Sequence, residues 1–143
     1  MAHFTDTFYE INGVALTLQQ QVHFAAEANR PYTLITCDDQ NRPPEKGVVH
    51  FAPIGTYELP EYEQQKIFYP PLLEMLDYCH REGFNHIHTA TPGPIGLAAL
   101  AIARFLQLPI SGTYHTAIPQ YVQILTGSDF MEEIAWKFLL WYY

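Results

Sequence analysis

With 143 residues and a formal net charge of −8, the chain fits one domain of ordinary size and lacks the basic surface that a nucleic-acid binder needs. Its two cysteines, Cys37 and Cys79, lie far apart in the sequence, which favours reduced thiols in a cytoplasmic protein over a disulfide framework. No stretch approaches about 18 consecutive apolar residues, and no basic segment followed by an apolar run opens the chain, so we expect a soluble protein without a signal peptide.

The first half of the chain predicts a strand, a helix and two further strands. The short segment at residues 3–5 favours the end of a strand, and a turn at residues 12–13 separates it from the helix. Helical spacing after this turn relates Val14, Leu18, Val22, Ala25 and Ala26. Residues 32–37 (YTLITC) and 48–52 (VVHFA) are rich in β-branched and aromatic residues, so both predict strands, with a polar loop at 38–47 between them.

Residues 70–90 predict a helix followed by a strand. Pro70 and Pro71 suit a first helical turn, so the helix should run from there to about Glu82 and stop at Gly83. A strand at residues 86–90 follows. Helices that alternate with short apolar strands predict an α/β fold, specifically a Rossmann-like three-layer sandwich with a mostly parallel sheet.

The most informative stretch runs from residue 86 to residue 116. After its first strand, a Pro/Gly turn at residues 91–96 opens into an apolar helix at 97–106, and a second buried strand ends in the polar residues 114–116. In an open α/β sheet, ligands bind in the crevice at the carboxyl ends of the strands. The polar residues past both strands should therefore face a ligand.

Residues 129–143 predict a last helix with Asp129 as its cap. Its apolar residues form a face too wide for a lone surface helix: Ile134, Trp136, Phe138, Leu139, Trp141 and Tyr142. Because the first strand is also short, we expect the natural protein to extend beyond these residues. On an isolated fragment, the aromatic face would favour self-association into a fragment dimer.

Several residues could contribute chemistry, each with a structural alternative. The turn at 91–96 leaves backbone amides at the start of a helix, which attract anions or sugar hydroxyls but also occur in a plain strand-to-helix connection. Gly13 could admit a phosphate close to the backbone, although a single glycine is weak evidence and the G-x-G-x-x-G pattern of a dinucleotide dehydrogenase is absent. Asp6, just past the first strand, fits a ligand contact and a turn or cap residue equally well.

The histidines give two further hypotheses. His115 ends a strand on the expected ligand side, and histidine can donate, accept or carry charge near neutral pH, so it is the leading functional candidate. His86 and His88 form an H-x-H pair on one strand face, as in some metal hydrolases. That pair begins its strand, no cluster of further ligands follows, and the chain is shorter than the about 250 residues of the barrel that such hydrolases use, so we expect no metal site.

Three segments together carry a resemblance to a known family: DTFYEINGVALTLQQ, HTATPGPIGLAALAIARFLQLPISGTYHTAIPQY and EEIAWKFLLWYY. They resemble the N-terminal domain of glycosyltransferase family 4, the retaining group 1 enzymes of the GT-B fold. The resemblance covers most of the chain in consistent order, while residues 38–85 match in pattern alone. The pairing of TPGPIG with GTYHT at this spacing is its most specific part.

The resemblance implies an enzyme of two Rossmann-like domains that face a cleft. The N-terminal domain holds the acceptor, and the C-terminal domain holds most of a nucleotide sugar, which is a substrate and not a cofactor. Residues 1–143 would then be a single acceptor-side domain of a longer glycosyltransferase, inactive alone because most donor contacts are absent. We expect a cytoplasmic location, with the full-length enzyme peripheral at the membrane as an alternative.

Individual residues receive roles from the same resemblance. Asn12, Gly13 and Val14 look like the loop near the donor diphosphate and the transferred sugar. His115 looks like the active-site histidine that contacts the sugar.

The acceptor side comprises residues that look like the family's acceptor contacts or that follow a predicted strand: Asp6, Thr91, Pro92, Gly93 and Thr116. The acceptor itself stays unidentified, and its pocket should depend on loops at 38–47 and 55–69. Two alternatives remain open, namely a non-catalytic Rossmann-like binding module and a small metal-dependent hydrolase that uses His86 and His88.

Overall fold

The computed structural model describes residues 1–59, 62–113, 123 and 126–143. In these ranges, the elements are β1 (Ala2–Phe4), α1 (Gly13–Glu27), β2 (Thr33–Cys37), β3 (Val48–Phe51), β4 (Gly55–Leu59), β5 (Tyr62–Tyr69), α2 (Leu72–Glu82), β6 (Ile87–Thr89), α3 (Pro94–Leu106), β7 (Ile110–Gly112) and α4 (Asp129–Tyr142). Apart from β4 and β5, these are the strands and helices that the sequence pattern predicts.

Five strands form one parallel sheet in the order β3-β2-β1-β6-β7. β1 lies at its centre, where His3 is opposite Leu34 of β2 and His88 of β6. Parallel neighbours need crossover connections, and α1 and α3 supply those from β1 to β2 and from β6 to β7. The fold is therefore α/β and Rossmann-like, which confirms the predicted fold class.

One face of the sheet packs against α2 and α3. Its core joins Phe4, Ile35 and Ile87 from three strands to Met75 of α2 and Ile102 of α3, all fully buried. Burial of an apolar side chain of this size stabilises a fold by about 1.5–3 kcal/mol. This face accounts for the larger part of the core.

The opposite face packs against α1. Leu18 and Val22 of α1 form a second cluster with Leu34 of β2, together with Phe8 and Ala90. Leu18 and Val22 lie one helical turn apart, which is the spacing that predicted this helix. Helices thus cover both faces of the sheet, as a three-layer sandwich requires.

Residues 55–59 and 62–69 form an antiparallel pair of strands, the hairpin of β4 and β5, outside the parallel sheet, so our expectation of a loop was wrong. Thr56 pairs with Phe68, and Glu58 pairs with Lys66. Charged and amide residues interrupt the apolar run that marks a buried strand. The hairpin forms a separate two-stranded sheet that packs Phe68 against the core, so its strands do not need an apolar run on both faces.

β7 is exposed, whereas the sequence predicted a buried strand. It pairs with β6 at the edge of the described sheet, and Ile110 is 36% exposed. Apolar residues identify a strand but do not say whether it is central or at an edge. The polar residues predicted beyond it, Tyr114, His115 and Thr116, lie outside the described residues.

α4 is capped by Ser128 and not by Asp129, because the Ser128 hydroxyl accepts a hydrogen bond from the Met131 amide at 3.3 Å. The side chains of Leu139 and Tyr142 are buried, whereas Ile134 and Trp141 of the predicted apolar face are 44% and 58% exposed. Much of the predicted apolar face therefore stays uncovered by the described residues. Neither α4 nor any other described helix is long and apolar enough to cross a membrane.

Both cysteines are free and belong to the core between the sheet and α2. Burial raises the pKa of Cys37 to about 12 and that of Cys79 to about 11. Both thiols are therefore protonated near neutral pH, which fits the reduced thiols expected from the sequence.

Candidate functional site

Asp6 links the end of the central strand to the start of α3. Its Oδ1 accepts a hydrogen bond from the Ile95 amide at 2.8 Å, and its Oδ2 accepts one from the Gly96 amide at 3.3 Å. The Thr91 hydroxyl donates to Oδ2 at 2.6 Å and accepts from the Asp6 amide at 2.8 Å. One carboxylate thus fixes the turn that follows β6 against the turn that follows β1.

The two glycines of this turn are required by close packing. A Cβ at Gly93 would lie 2.5 Å from Cγ of Asp6, which is far inside van der Waals contact. A Cβ at Gly96 would collide with the Thr91 carbonyl and the Tyr142 hydroxyl. The TPGPIG motif is therefore shaped around the Asp6 carboxylate and around the tyrosine of α4.

The N-terminus of α3 holds an anion that belongs to the protein itself. Burial raises the pKa of the Asp6 carboxyl above its usual value, while hydrogen bonds from Thr91, Ile95 and Gly96 oppose this rise. The structure shows Asp6 bonded at the start of α3 as a cap, and its contact with a ligand stays a prediction. Thr91, Pro92 and Gly93 are half-buried around it, and they stay predicted acceptor-side residues.

The start of α1 differs from the start of α3. Asn12 caps α1 through Oδ1, which accepts from the Ala15 amide at 2.8 Å, and its Nδ2 donates to the Thr7 hydroxyl at 2.9 Å. The amides of Gly13 and Val14 precede that cap bond and have no partner within the helix. A Cβ at Gly13 would meet no described atom within 4 Å, so the space beside this residue is open.

A pocket of about 580 Å³ lies beside these turns at the carboxyl ends of β1 and β2, and we name it the hairpin pocket. Its lining residues come from the turn after β1, the loop after β2 and strand β5: Asp6, Thr7, Tyr9, Glu10, Asn12, Asp38, Asp39, Gln40, Arg42, Lys66, Ile67 and Phe68. Both segments that we expected to shape an acceptor pocket, at 38–47 and 55–69, contribute to it. Asp6 and Asn12 are the predicted site residues that it brings together.

A charged group organises the loop side of the hairpin pocket. Arg42 donates from Nε at 3.0 Å and from Nη2 at 2.8 Å to Oδ2 of Asp38, and its guanidinium stacks 3.9 Å above the Tyr9 ring. His50 binds the other carboxylate oxygen of Asp38. Burial alone would raise the pKa of Asp38, but the hydrogen bonds from Arg42 and His50 outweigh it and hold that pKa below its usual value.

The hairpin supplies the second charged pair of the pocket. Lys66 of β5 donates to Asp39 at 3.3 Å and lies 3.9 Å from a carboxylate oxygen of Glu58 across the hairpin. Hydrogen bonds from Gln40 and Lys66 lower the pKa of Asp39. The hairpin therefore closes one wall of the pocket with a cation that is already paired.

Sequence reasoning missed Asp38, Arg42 and Lys66 as individual residues. Asp38 directly follows β2, so the same strand-end rule that selected Asp6 selects it as well. Arg42 becomes recognisable once Asp38 is, since it lies four residues further along the loop and pairs with it. Lys66 carried no such signal, because its hairpin was not predicted.

A second pocket of about 570 Å³ lies at the opposite edge of the sheet. The C-terminal ends of α1 and α2 contribute Ala25, Ala26, Glu82 and Gly83 to its lining. Helix C-termini present carbonyl oxygens and the negative end of the helix dipole. Ligands of open α/β sheets bind at the carboxyl edge, so the hairpin pocket is the candidate site.

The H-x-H pair contacts hydroxyl groups. His86 Nε2 and His88 Nδ1 lie 2.8 Å and 2.7 Å from Oγ of Ser111, and His88 Nε2 lies 2.8 Å from Oγ1 of Thr113. Among the described residues, no three His, Cys, Asp or Glu side chains are grouped so as to hold a metal ion. The described residues therefore supply no third metal ligand beside His86 and His88, which the hydrolase hypothesis would need.

The predicted catalytic residue His115 and the acceptor-side residue Thr116 lie outside the described residues. β7, which precedes them, ends at Gly112 at the same edge of the sheet as the turn after β6. Their assignments stay predictions.

Comparison with known proteins gives two findings. A family model described as Glycosyltransferase Family 4 matches residues 11–143. The alpha-monoglucosyldiacylglycerol synthase of Streptococcus pneumoniae is 24% identical to this chain over 140 residues. That match covers 96% of this chain and 31% of the synthase, so the chain spans about a third of the length of this curated relative.

Replacing Asp6 by Asn tests the link between β1 and α3. Asparagine offers one acceptor oxygen where the carboxylate offers two, so a donor from Thr91 or Gly96 is left facing the amide NH₂. We expect a loss of about 1–3 kcal/mol in the free energy of unfolding, measured with urea. The control Asp77→Asn removes the same charge from an exposed pair with Arg81 and should change stability by less than about 0.5 kcal/mol. Equal effects of the two substitutions would contradict the link.

Proposed function

The chain belongs to Glycosyltransferase Family 4, and from that premise we propose that it is the acceptor-side domain of a retaining glycosyltransferase with a nucleotide sugar as donor. The observation that carries this proposal is the arrangement at the carboxyl edge of the sheet. An open helix N-terminus at Gly13 and Val14 lies next to a polar pocket that contains Asp6 and Asn12. Sugar transfer needs one site that binds the donor diphosphate and another that binds the acceptor.

The donor diphosphate is assigned to the start of α1. Its free amides and the positive end of the helix dipole suit an anion. The start of α3 is less suited, because the Asp6 carboxylate already takes the amides of Ile95 and Gly96. In the transfer, the bond from the anomeric carbon to the diphosphate breaks, and a bond to the acceptor oxygen forms on the same side of the sugar ring. The proton of the acceptor hydroxyl passes to the departing diphosphate, which leaves as part of a nucleoside diphosphate.

A second domain completes the proposed enzyme. The curated relative is about three times as long as the matched region, which leaves room for a domain that binds most of the nucleotide sugar. Residues 1–143 would then be inactive alone, because proximity and charge stabilisation need both walls of the cleft. We assign no cofactor and no metal to the reaction.

We propose a lipid alcohol of the diacylglycerol class as the acceptor. The name of the pneumococcal relative supports this class. Ile11, which is 99% exposed, lies between two lining residues of the hairpin pocket in the sequence, and exposed Ile54 directly precedes the hairpin. Such residues suit acyl chains beside a polar pocket. An enzyme of this kind would be cytoplasmic and peripheral at the membrane.

The exposed face of α4 is a candidate contact surface for a partner. Leu140 and Trp141 are 77% and 58% exposed on a helix that otherwise packs by Leu139 and Tyr142. We propose that the second domain covers this face in the whole enzyme and that the isolated domain forms a dimer through it.

His115→Ala tests the assigned active-site histidine. In a full-length enzyme that contains this domain, turnover should fall by about 100-fold or more, since removal of one preorganised polar group at a reacting centre has that effect. The control His23→Ala removes an exposed histidine of α1 and should leave turnover unchanged. Full activity of the His115 variant would show that His115 is not an active-site residue. A complete lack of transfer in the parent enzyme would favour the non-catalytic binding module.

Gly13→Ala separates a donor role from a structural one. The added methyl group meets no described atom, so the free energy of unfolding should stay equal or rise by less than about 1 kcal/mol. If a diphosphate approaches these amides, the methyl group displaces it, and kcat/KM for the donor should fall by about 10-fold to 100-fold. Unchanged donor kinetics would show that the start of α1 does not hold the donor.

A further inference from the structure

The hairpin pocket carries more negative than positive charge. Four carboxylates line it, those of Asp6, Glu10, Asp38 and Asp39, against the two cations Arg42 and Lys66. The formal charge of the lining is therefore −2, in a chain whose overall charge is also negative. A phosphate group in this pocket would meet net repulsion.

Both cations of the pocket are already paired with carboxylates of its wall. Two nitrogens of Arg42 are used by Asp38, and Lys66 is paired with Asp39. A phosphate therefore gains less attraction from either cation than it would from an unpaired one. At the start of α1, no carboxylate of the described residues competes for the backbone amides, so a diphosphate could bind to them.

Hydrogen-bonding capacity favours hydroxyl groups in the same place. Ionised carboxylates only accept and guanidinium groups only donate, whereas a hydroxyl does both. Among the described residues, Nη1 of Arg42 and Oε1 of Glu10 have no hydrogen-bond partner, so the pocket offers at least one donor and one acceptor beyond its own pairs. The face of Tyr9 is covered by Arg42, which holds that guanidinium in place.

We propose that the hairpin pocket binds the uncharged, hydroxyl-bearing end of the acceptor and rejects phosphorylated acceptors, with the Asp38–Arg42 and Asp39–Lys66 pairs as its specificity-determining residues. The inference rests on the proposed function, because it concerns the acceptor of that reaction. It adds the charge class of the acceptor and the residues that set it.

The test is a titration of the chain followed through its backbone amides by NMR. The probes form two pairs, methyl α-glucoside with glucose 6-phosphate and glycerol with glycerol 3-phosphate, so that a sugar head group and a glycerol head group are distinguished. In each pair that binds, the uncharged probe should shift the amides of Ile67 and Phe68. The phosphorylated probe should bind at least about fivefold more weakly, which corresponds to about 1 kcal/mol.

Two substitutions with matched controls assign the selectivity to the named pairs. Asp39→Asn releases Lys66 and should strengthen binding of the phosphorylated probe by about threefold, as expected for one exposed charge. Asp77→Asn, which breaks a similar pair with Arg81 outside the pocket, should not. Arg42→Lys keeps the charge but loses the two-nitrogen contact with Asp38, so binding of the uncharged probe should weaken, whereas Arg81→Lys should leave it unchanged.

Equal binding of uncharged and phosphorylated probes would overturn the inference, and so would the absence of shifts at Ile67 and Phe68 with every probe. If the Asp39 and Asp77 variants changed binding of the phosphorylated probe equally, the Asp39–Lys66 pair would not determine the selectivity. These readouts do not depend on transfer. An enzyme that shows the selectivity but transfers no sugar would contradict the proposed function alone.

Discussion

The arrangement at the carboxyl edge of the sheet depends on one buried contact, the Asp6 carboxylate at the start of α3. Its oxygens accept from Thr91, Ile95 and Gly96, so the central strand and the neighbouring turn cannot move independently. Close packing extends this constraint, because Gly93 leaves room for the carboxylate. Tyr142 of α4 then seals the turn through its bonds with the Thr89 hydroxyl and the Thr91 carbonyl.

This contact gives the two helix N-termini of the edge different chemistry. The start of α3 is filled by a carboxylate of the protein, whereas the start of α1 presents the amides of Gly13 and Val14 to open space. A helix N-terminus suits phosphate only while no other anion occupies it. We therefore propose that the diphosphate binds at α1 and that an uncharged acceptor binds in the hairpin pocket, a few residues away along the same edge.

The sequence predicted the layers of this fold better than its edges. Short apolar strands that alternate with helices are sufficient for the parallel sheet, because a strand buried on both faces must be apolar throughout. Nothing in that pattern reports the position of β7 at an edge or the hairpin of β4 and β5, which forms a separate sheet. The strand-end rule selected Asp6 but could not decide between cap and ligand contact. That choice depends on atoms of Ile95 and Gly96, about 90 residues away along the chain.

The anomeric configuration of the product tests whether the enzyme is a retaining glycosyltransferase. A full-length enzyme that contains this domain would be incubated with α-configured nucleotide sugars and a diacylglycerol acceptor, and the linkage of the purified product would be read by proton NMR. A retaining transferase gives an α-linked glycosyl lipid, and we expect this product. A β-linked product, or release of free sugar without transfer, would contradict it.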